Sequence, residues 1–311
     1  MRLRLPKFLA LLATVACAPT QRERPVRAAT AAPTAVAAGA PGTRLGDLGG
    51  RAPAASELPV GPASRQAKAA AAGLENVVPP EETVVRVLLY HGIGTRTSRP
   101  VVKARAFREQ LDWLEAHDIE VIRLSQLLDF LDGELWLPRH AAVITIDDGE
   151  LNGYSKAYPI LKERGLPFTL GLATQVIEEH RTRGALNWLQ IREMVDSGLC
   201  EVASHSVTHR KMTLLPDEVA RFELERSRAV LTEELALRPE AFFYPLGDNN
   251  YRVRRLTKQS GYRAAFVAHG GPTIAGTQRF GIPRYDVKPD TSMRKFRSFF
   301  NHGIPVLRSS R

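Results

Sequence analysis

Four short stretches of this chain carry residue types that can do chemistry, and each follows an apolar run. Asp147-Asp148-Gly149 follows 142–146, and Ser204-His205-Ser206-Val207-Thr208-His209 follows 200–203. Pro245-Leu246-Gly247 follows 241–244, and His91 follows 84–90. Two histidines four residues apart share one face of a helical turn and can ligate one metal together. A carboxylate as third ligand completes a two-His, one-carboxylate set with an open position for water. Neighbouring aspartates on a strand point to opposite faces, but at a strand-to-loop junction the second can turn to a metal while the first faces a substrate. Each signal has a plain structural reading too. Asp-Gly is a turn, a His-x-x-x-His pair is an exposed helix face, and His91 is a core or cap histidine. Their joint placement at strand ends favours chemistry.

The elements that must hold these residues show in the hydrophobic pattern. From about residue 84, short apolar and β-branched runs alternate with segments of helical period. Strands are predicted at 84–91, 119–124, 142–146, 168–173, 200–203, 241–244, 264–268 and 280–284. Helices are predicted at about 103–117, 126–131, 154–164, 188–197, 216–237 and 253–260. Phe107, Leu111 and Leu114 mark the apolar face of the first, and Pro216-Asp217-Glu218 opens the long one as a first turn should. Strict β–α alternation over this length argues a parallel sheet, closed as a barrel or open and doubly wound. Both architectures place their sites at the C-terminal ends of strands.

The chain has 311 residues, 44% of them hydrophobic, with 43 Lys plus Arg against 33 Asp plus Glu and only two cysteines. Cys17 and Cys200 cannot make a disulfide scaffold or a Cys-rich zinc ribbon. Cys200 is expected as a lone thiol buried behind a strand. The net charge of +10 sits at the ends: residues 1–80 carry +6, the last 21 carry +5, and the middle is near neutral. A nucleic-acid-binding module would concentrate its basic residues on the folded domain, so solvated basic tails are expected and no nucleic-acid partner. Arg2, Arg4 and Lys7 followed by a nine-residue apolar stretch read as a signal peptide over 1–17. Its end, Ala13-Thr14-Val15-Ala16-Cys17, resembles a lipobox, which implies lipidation at Cys17, the alternative being an ordinary secretory signal with an incidental Cys. Residues 18–78 are read as a disordered Ala/Pro/Gly-rich linker, because such a segment cannot bury enough apolar surface to offset its ordering entropy. A catalytic domain over 79–300 and a basic tail over 301–311 complete the organisation.

With these residues in view, the chain resembles the polysaccharide deacetylases of the NodB-homology type, carbohydrate esterase family 4, over about 84–300. Ile144-Thr145-Ile146-Asp147-Asp148-Gly149 is similar to the family's Thr-Phe-Asp-Asp-Gly motif. His205-Ser206-Val207-Thr208-His209 matches its His-Ser/Thr-x-x-His motif, 58 residues further on. Phe243-Tyr244-Pro245-Leu246-Gly247 resembles the third motif. Leu88-Leu89-Tyr90-His91, Pro159-Ile160-Leu161-Lys162 and Leu186-Asn187-Trp188 are similar to segments of exported members. The resemblance implies a distorted (β/α)7-8 barrel with one divalent metal, most often Zn²⁺, with Co²⁺ or Ni²⁺ as alternatives. It implies Asp148, His205 and His209 as ligands, Asp147 as general base and the Leu246 backbone N–H as oxyanion donor.

The chain departs from the pattern at three places, the first being Ile146 in place of the Phe of the Thr-Phe-Asp-Asp-Gly motif. Phe243 stands where many members have the arginine that orients the base, and no late Leu-x-His motif supplies an acid. Arg284 is the expected replacement partner of Asp147. His91, at a strand end, is the expected general acid, with His269 as the alternative. Trp188 and Tyr244 are candidate sugar-stacking residues.

The expected activity is metal-dependent removal of N-acetyl groups from an N-acetylhexosamine polysaccharide of the envelope or extracellular matrix. The protein would be exported and lipid-anchored in the bacterial envelope, otherwise secreted. An O-acetyl esterase of xylan type and a catalytically silent glycan-binding lipoprotein are the rival readings. The sequence specifies neither the glycan, nor the physiological metal, nor the oligomeric state.

Overall fold

Alternating apolar runs and helical stripes become ten strands and nine α-helices among the described residues of the computed structural model, which are 61–94, 101–178 and 184–301. In chain order they are α1 (Pro62–Ala71), β1 (Val77–Val78), β2 (Val84–Tyr90), α2 (Ala104–Glu115), β3 (Glu120–Val121) and α3 (Leu124–Leu131). Then follow β4 (Leu137–Pro138), β5 (His140–Ile146), α4 (Tyr158–Glu163), β6 (Phe168–Leu172), α5 (Thr174–Glu178), α6 (Trp188–Asp196) and β7 (Cys200–Ser204). Last among the described residues are α7 (Asp217–Leu235), β8 (Ala241–Phe243), α8 (Tyr251–Gln259), β9 (Ala264–Phe266), β10 (Tyr285–Asp286) and α9 (Met293–Ser298). A π-helical turn, Gly153–Ala157, leads into α4.

Strands β2, β5, β6, β7, β8 and β9 lie side by side and all run parallel, with β3 beside the start of β5. β10 pairs with the free edge of β2, Tyr285 opposite Leu88 and Asp286 opposite Leu89. Three residues earlier, Ile282 bridges Phe266 of β9 in parallel. One short segment therefore reaches both edge strands and curls the sheet into a distorted barrel.

Strands buried on both faces must be apolar on both. Leu88, Tyr90, Ile144, Ile146, Phe168, Leu170 and Leu172 face outward into one cluster with α2, α4, α6 and α9. Val85, Val87, Val143, Ala203, Phe243, Phe266 and Ile282 alternate with them and fill the interior. The interior cluster continues into Leu124, Leu127, Leu128 and Phe130 of α3, which stops the N-terminal end of the barrel with hydrocarbon. Toward the other end the inward positions turn polar: Thr145, Asp147, His205 and Arg284 are all buried.

Three expectations are corrected. Composition predicts a disordered linker to residue 78, yet Pro62–Ala71 is helical with Ala69 buried, Leu74 joins the interior cluster, and β1 pairs antiparallel with β4. A few small apolar contacts and the Lys68–Glu134 ion pair at 2.7 Å hold this segment, which composition alone could not register. The strand expected at 280–284 begins as a 3-10 turn, Arg279–Gly281, and pairs only at Tyr285–Asp286, with Pro283 unable to donate a ladder hydrogen bond. The basic end is not all solvated: α9 buries Phe296, while Phe299 and Phe300 are buried just after it, their carbonyls accepting from the buried Arg86 guanidinium at 3.3 and 3.2 Å. Cys200 is a free, buried thiol in β7 itself, and burial pushes its titration far up. The signal segment, Cys17, residues up to 60 and the tail from 302 lie outside the described residues. Among the described residues no helix is long and apolar enough to cross a membrane.

Candidate metal centre

The inner face of β5 runs Ala141, Val143, Thr145 and on to Asp147, after which the chain turns through Asp148 (φ 72°) and Gly149 (φ 69°). That left-handed turn brings the second carboxylate round to the same histidine as the first. Asp147 is buried and gripped by the equally buried Arg284, Nη1 to Oδ1 at 2.9 Å and Nη2 to Oδ2 at 2.7 Å. The guanidinium also donates to Thr145 Oγ1 at 3.2 Å and to the Val267 carbonyl at 3.2 Å, and lies 4.2 Å over the Phe243 ring. Burying two charges is costly unless they are paired and hydrogen-bonded, and a bidentate pair with further acceptors meets that condition. Space for the carboxylate comes from Gly171, where a Cβ would sit 2.7 Å from Asp147 Oδ1 and 2.6 Å from Phe243.

His205 leaves the end of β7, buried, with Nδ1 donating to the Phe243 carbonyl at 2.7 Å. That bond leaves Nε2 as the acceptor nitrogen facing inward. Nε2 is 3.5 Å from Asp148 Oδ1, 3.8 Å from Asp147 Oδ2 and 3.1 Å from His209 Nε2, which is 3.3 Å from Asp148 Oδ1. One ligand atom from each of Asp148, His205 and His209 lies within 4.8 Å of the other two. Two imidazole nitrogens and a carboxylate oxygen converging this closely fit a divalent cation of the zinc class. Burial works against charge on Asp148, but His205, His209 and His91 outweigh it and hold its carboxyl well below the usual carboxylate range. Burial works against charge on His205 as well, and the carboxylates of Asp147 and Asp148 raise its titration above the ordinary value.

The two histidines do not share a helical turn as their spacing predicts. Residues 205–209 form an irregular loop in which Ser206 (φ 68°) and His209 (φ 56°) are left-handed. Ser206 Oγ accepts from the His209 amide at 2.9 Å, and the carbonyls of Ser206 and Val207 accept from the first amides of α5. Glu223, buried on α7, accepts from the amides of Val207 and Thr208, both at 2.9 Å, and from the Thr208 hydroxyl.

Leu246 sits in the turn after β8 with φ 58° and its side chain largely exposed. Asp248, just beyond, anchors that turn by accepting from Thr213 N at 2.8 Å and Oγ1 at 3.0 Å. Of the seven non-glycine residues with positive φ among the described residues, Asp148, Ser206, His209 and Leu246 belong to these three loops. Backbone strain is thus concentrated where the candidate ligands are.

The remaining candidates divide. His91, half-exposed at the end of β2, has Nδ1 4.0 Å from Asp286 Oδ1. His269 is exposed in the loop after β9. Trp188, the first residue of α6, is half-buried against the outer cluster. Tyr244 cannot stack on a sugar. It is fully buried on the outer face of the barrel with its hydroxyl on the Phe280 carbonyl at 3.3 Å, and burial pushes its titration up to about 12. One step of strand alternation decides this: Phe243 points in, so Tyr244 points out. An exposed ring does follow that loop: Tyr251, the first residue of α8, at 84% exposure. Sequence reading missed Glu223 and Asp286, and gave Thr145 as part of a motif without its contact to Arg284. Only Glu223 left a signal, an acidic residue on the buried stripe Ala220, Glu223, Leu224, Ser227, Val230 and Leu231 of α7.

The sequence model of the family described as polysaccharide deacetylase matches residues 137–265. That span contains Asp147, Asp148, His205, His209 and Leu246, while His91 and Arg284 lie outside it. The chain is 25% identical over 201 residues to the poly-beta-1,6-N-acetyl-D-glucosamine N-deacetylase of Staphylococcus epidermidis, which covers 61% of this chain and 68% of that one. It is 26% identical over 234 residues to the Escherichia coli K12 protein of the same name, covering 63% of this chain but 35% of the relative. Among solved structures, IcaB from Ammonifex degensii superposes with a TM-score of 0.64 at 27% identity, over 70% of this chain and 97% of that one. The Streptococcus pyogenes deacetylase PplD, in complex with acetate, gives a TM-score of 0.65 at 20% identity over 70% of this chain and 98% of that one, a likeness of fold. The convergent motifs, the curled parallel sheet and these similarities agree: the chain is similar to the polysaccharide deacetylases of the NodB type, whose family model matches its residues 137–265.

Proposed function

We propose that this protein is an exported, metal-dependent hydrolase that removes N-acetyl groups from an N-acetylhexosamine polysaccharide of the envelope or extracellular matrix. The observation that carries the reading is the three-donor set of Asp148, His205 and His209 beside a buried carboxylate held by Arg284. The staphylococcal and E. coli relatives support a polymer of N-acetylglucosamine as the substrate class.

Asp148 Oδ1 and the Nε2 atoms of His205 and His209 would hold the metal, with Zn²⁺ best suited to the donor types. Such a metal, when bound, lowers the pKa of water toward about 7 and polarises the acetyl carbonyl. Asp147, whose Oδ2 faces His205 Nε2, takes the proton of the attacking water, and Arg284 keeps that carboxylate in one orientation. The Leu246 N–H donates to the oxygen on which charge develops. Water adds to the acetyl carbon, the C–N bond breaks, acetate leaves, and the sugar nitrogen departs as an amine after protonation. His91 supplies that proton, with Asp286 facing its Nδ1. Lipidation of Cys17 would tether the domain to the envelope through the linker, and Cys17→Ser would then release it from membranes.

The test is mass-spectrometric. The purified chain is incubated with N-acetylglucosamine oligomers, with Zn²⁺, with chelator and as Asp147→Asn. Acetyl loss that requires metal and disappears in the variant is the expected result. Metal uptake without acetyl loss, or cleavage of acetyl esters alone, would overturn the N-deacetylase reading.

A further inference from the structure

One face of α7 brackets the histidine loop on both sides. Ser227, one turn after Glu223, is hydrogen-bonded through Oγ to Ser204 Oγ at 2.7 Å, immediately before His205. Glu223 Oε2 accepts from the amides of Val207 and Thr208, and Oε1 takes the Thr208 hydroxyl. Between these two grips the backbone passes through the left-handed Ser206, and it ends at the left-handed His209. A non-glycine residue in that region costs free energy, and it stays there only when its surroundings over-determine it. A carboxylate accepting two amides in a buried site is such a determinant, because leaving those donors unpaired would be costly. Glu223 is 2% exposed, and its carboxylate is hydrogen-bonded to Val207 and Thr208.

From this geometry we infer that Glu223 is the positioning residue of the metal centre. It holds the 205–209 loop in the strained form that brings His209 Nε2 within 3.1 Å of His205 Nε2, so that metal affinity depends on it. The inference rests on the metal-centre reading above and adds a residue that lies outside both histidine and aspartate motifs. Glutamine can keep most of the contact: its Oε1 accepts both amides and its Nε2 donates to the Thr208 hydroxyl. Alanine can keep none of it.

The experiment is Zn²⁺ titration of the full chain by calorimetry or chelator competition, for the wild type and for Glu223→Ala, Glu223→Gln, Thr208→Val and Ser227→Ala. Amide hydrogen exchange at residues 205–209 of the metal-free protein is read in parallel. Glu223→Ala is expected to weaken Zn²⁺ binding about 10–100-fold, the range for residues that orient metal ligands. Glu223→Gln should restore affinity to within a few-fold, and Thr208→Val should lose only a few-fold. Protection at Val207 and Thr208 should fall in the alanine variant and persist in the glutamine one. Unchanged Zn²⁺ affinity in Glu223→Ala, with only a lowered Tm, would overturn the inference and leave Glu223 a fold residue. If the alanine variant does not fold, wild-type affinity in Thr208→Val together with a loss in Glu223→Gln as large as in a ligand substitution would overturn it. A wild type that takes up no Zn²⁺ would bring down the metal-centre reading itself, and this inference with it.

Discussion

The two ends of the barrel are built from the same strands and differ in almost everything else. At the N-terminal end the inward residues are Val85, Ala141 and Val143, packed on Leu127, Leu128 and Phe130 of α3. Four residues up the same strand from Val143, Asp147 is buried in a bidentate pair with Arg284, and three neighbouring loops hold non-glycine residues in left-handed conformations. One end gains free energy from hydrocarbon burial and the other spends it on buried charge and strained backbone. The barrel keeps its costly groups in place because the plugged end provides stability that the site does not. Substitutions at the two ends should therefore separate folding from function.

The largest effect is expected at the open end. Asp147→Asn should lower deacetylation about 10²–10⁴-fold, the usual contribution of a general base. Zn²⁺ binding should persist, since Asp147 is not among the three donors, and kcat measured beside metal stoichiometry checks both. At the plugged end Leu127→Ala should cost about 2–5 kcal/mol of stability, as buried Leu→Ala changes do. Its kcat should stay close to wild type at temperatures where the variant is folded. A matching fall in kcat would break the separation of the two ends.

Arg284→Lys removes the fork that holds Asp147 while keeping the charge. Loss of one charge-assisted hydrogen bond, about 1.5–3 kcal/mol, corresponds to a fall in kcat of roughly 10- to 150-fold with metal affinity retained. The smallest effect is in pH. The folded-state titration of His205 lies above its ordinary value of 6.5, so its ion pairing stabilises the metal-free protein fully below that pH. The stabilisation is lost as pH rises through the raised folded value. Asp148 is depressed in the fold, so its contribution is present above the ordinary carboxylate value of 3.8 and is lost as acid is added. The Tm of chelator-treated protein should therefore decline as the pH rises above 6.5, and His205→Gln should flatten that decline.

Much of this arrangement was legible in the sequence because alternation and strand-end position are local properties. The strands at 84–90, 140–146, 168–172 and 200–204 announce themselves as apolar runs, and the acids and histidines stand just after them. The pairing of Arg284 with Asp147 was also expected, since Phe243 left the carboxylate needing a cation. Other features were not legible, for identifiable reasons. The inward or outward sense of Tyr244 depends on a single step of register, and register is set by the neighbouring strands. The packing of helix α1 was not legible, because an alanine-rich patch suggests at most a transient helix unless a partner surface is already there. Glu223 stood out only as an acid on the buried stripe of α7, and its partners were not legible, because the amides it receives lie 15 and 16 residues away and are orphaned only by an irregular loop.

By itself the sequence determined the class of fold and the types of donor: a parallel α/β sheet with two aspartates and two histidines at strand ends. Side-chain chemistry and hydrophobic period are written residue by residue, so they need no folded chain to be read. The tertiary structure alone decided that the His-x-x-x-His segment is a strained loop, that α7 grips it, and that one segment reaches both edges of the sheet. Those outcomes depend on which buried donors find which acceptors across distant parts of the chain, and only the packed molecule settles that pairing.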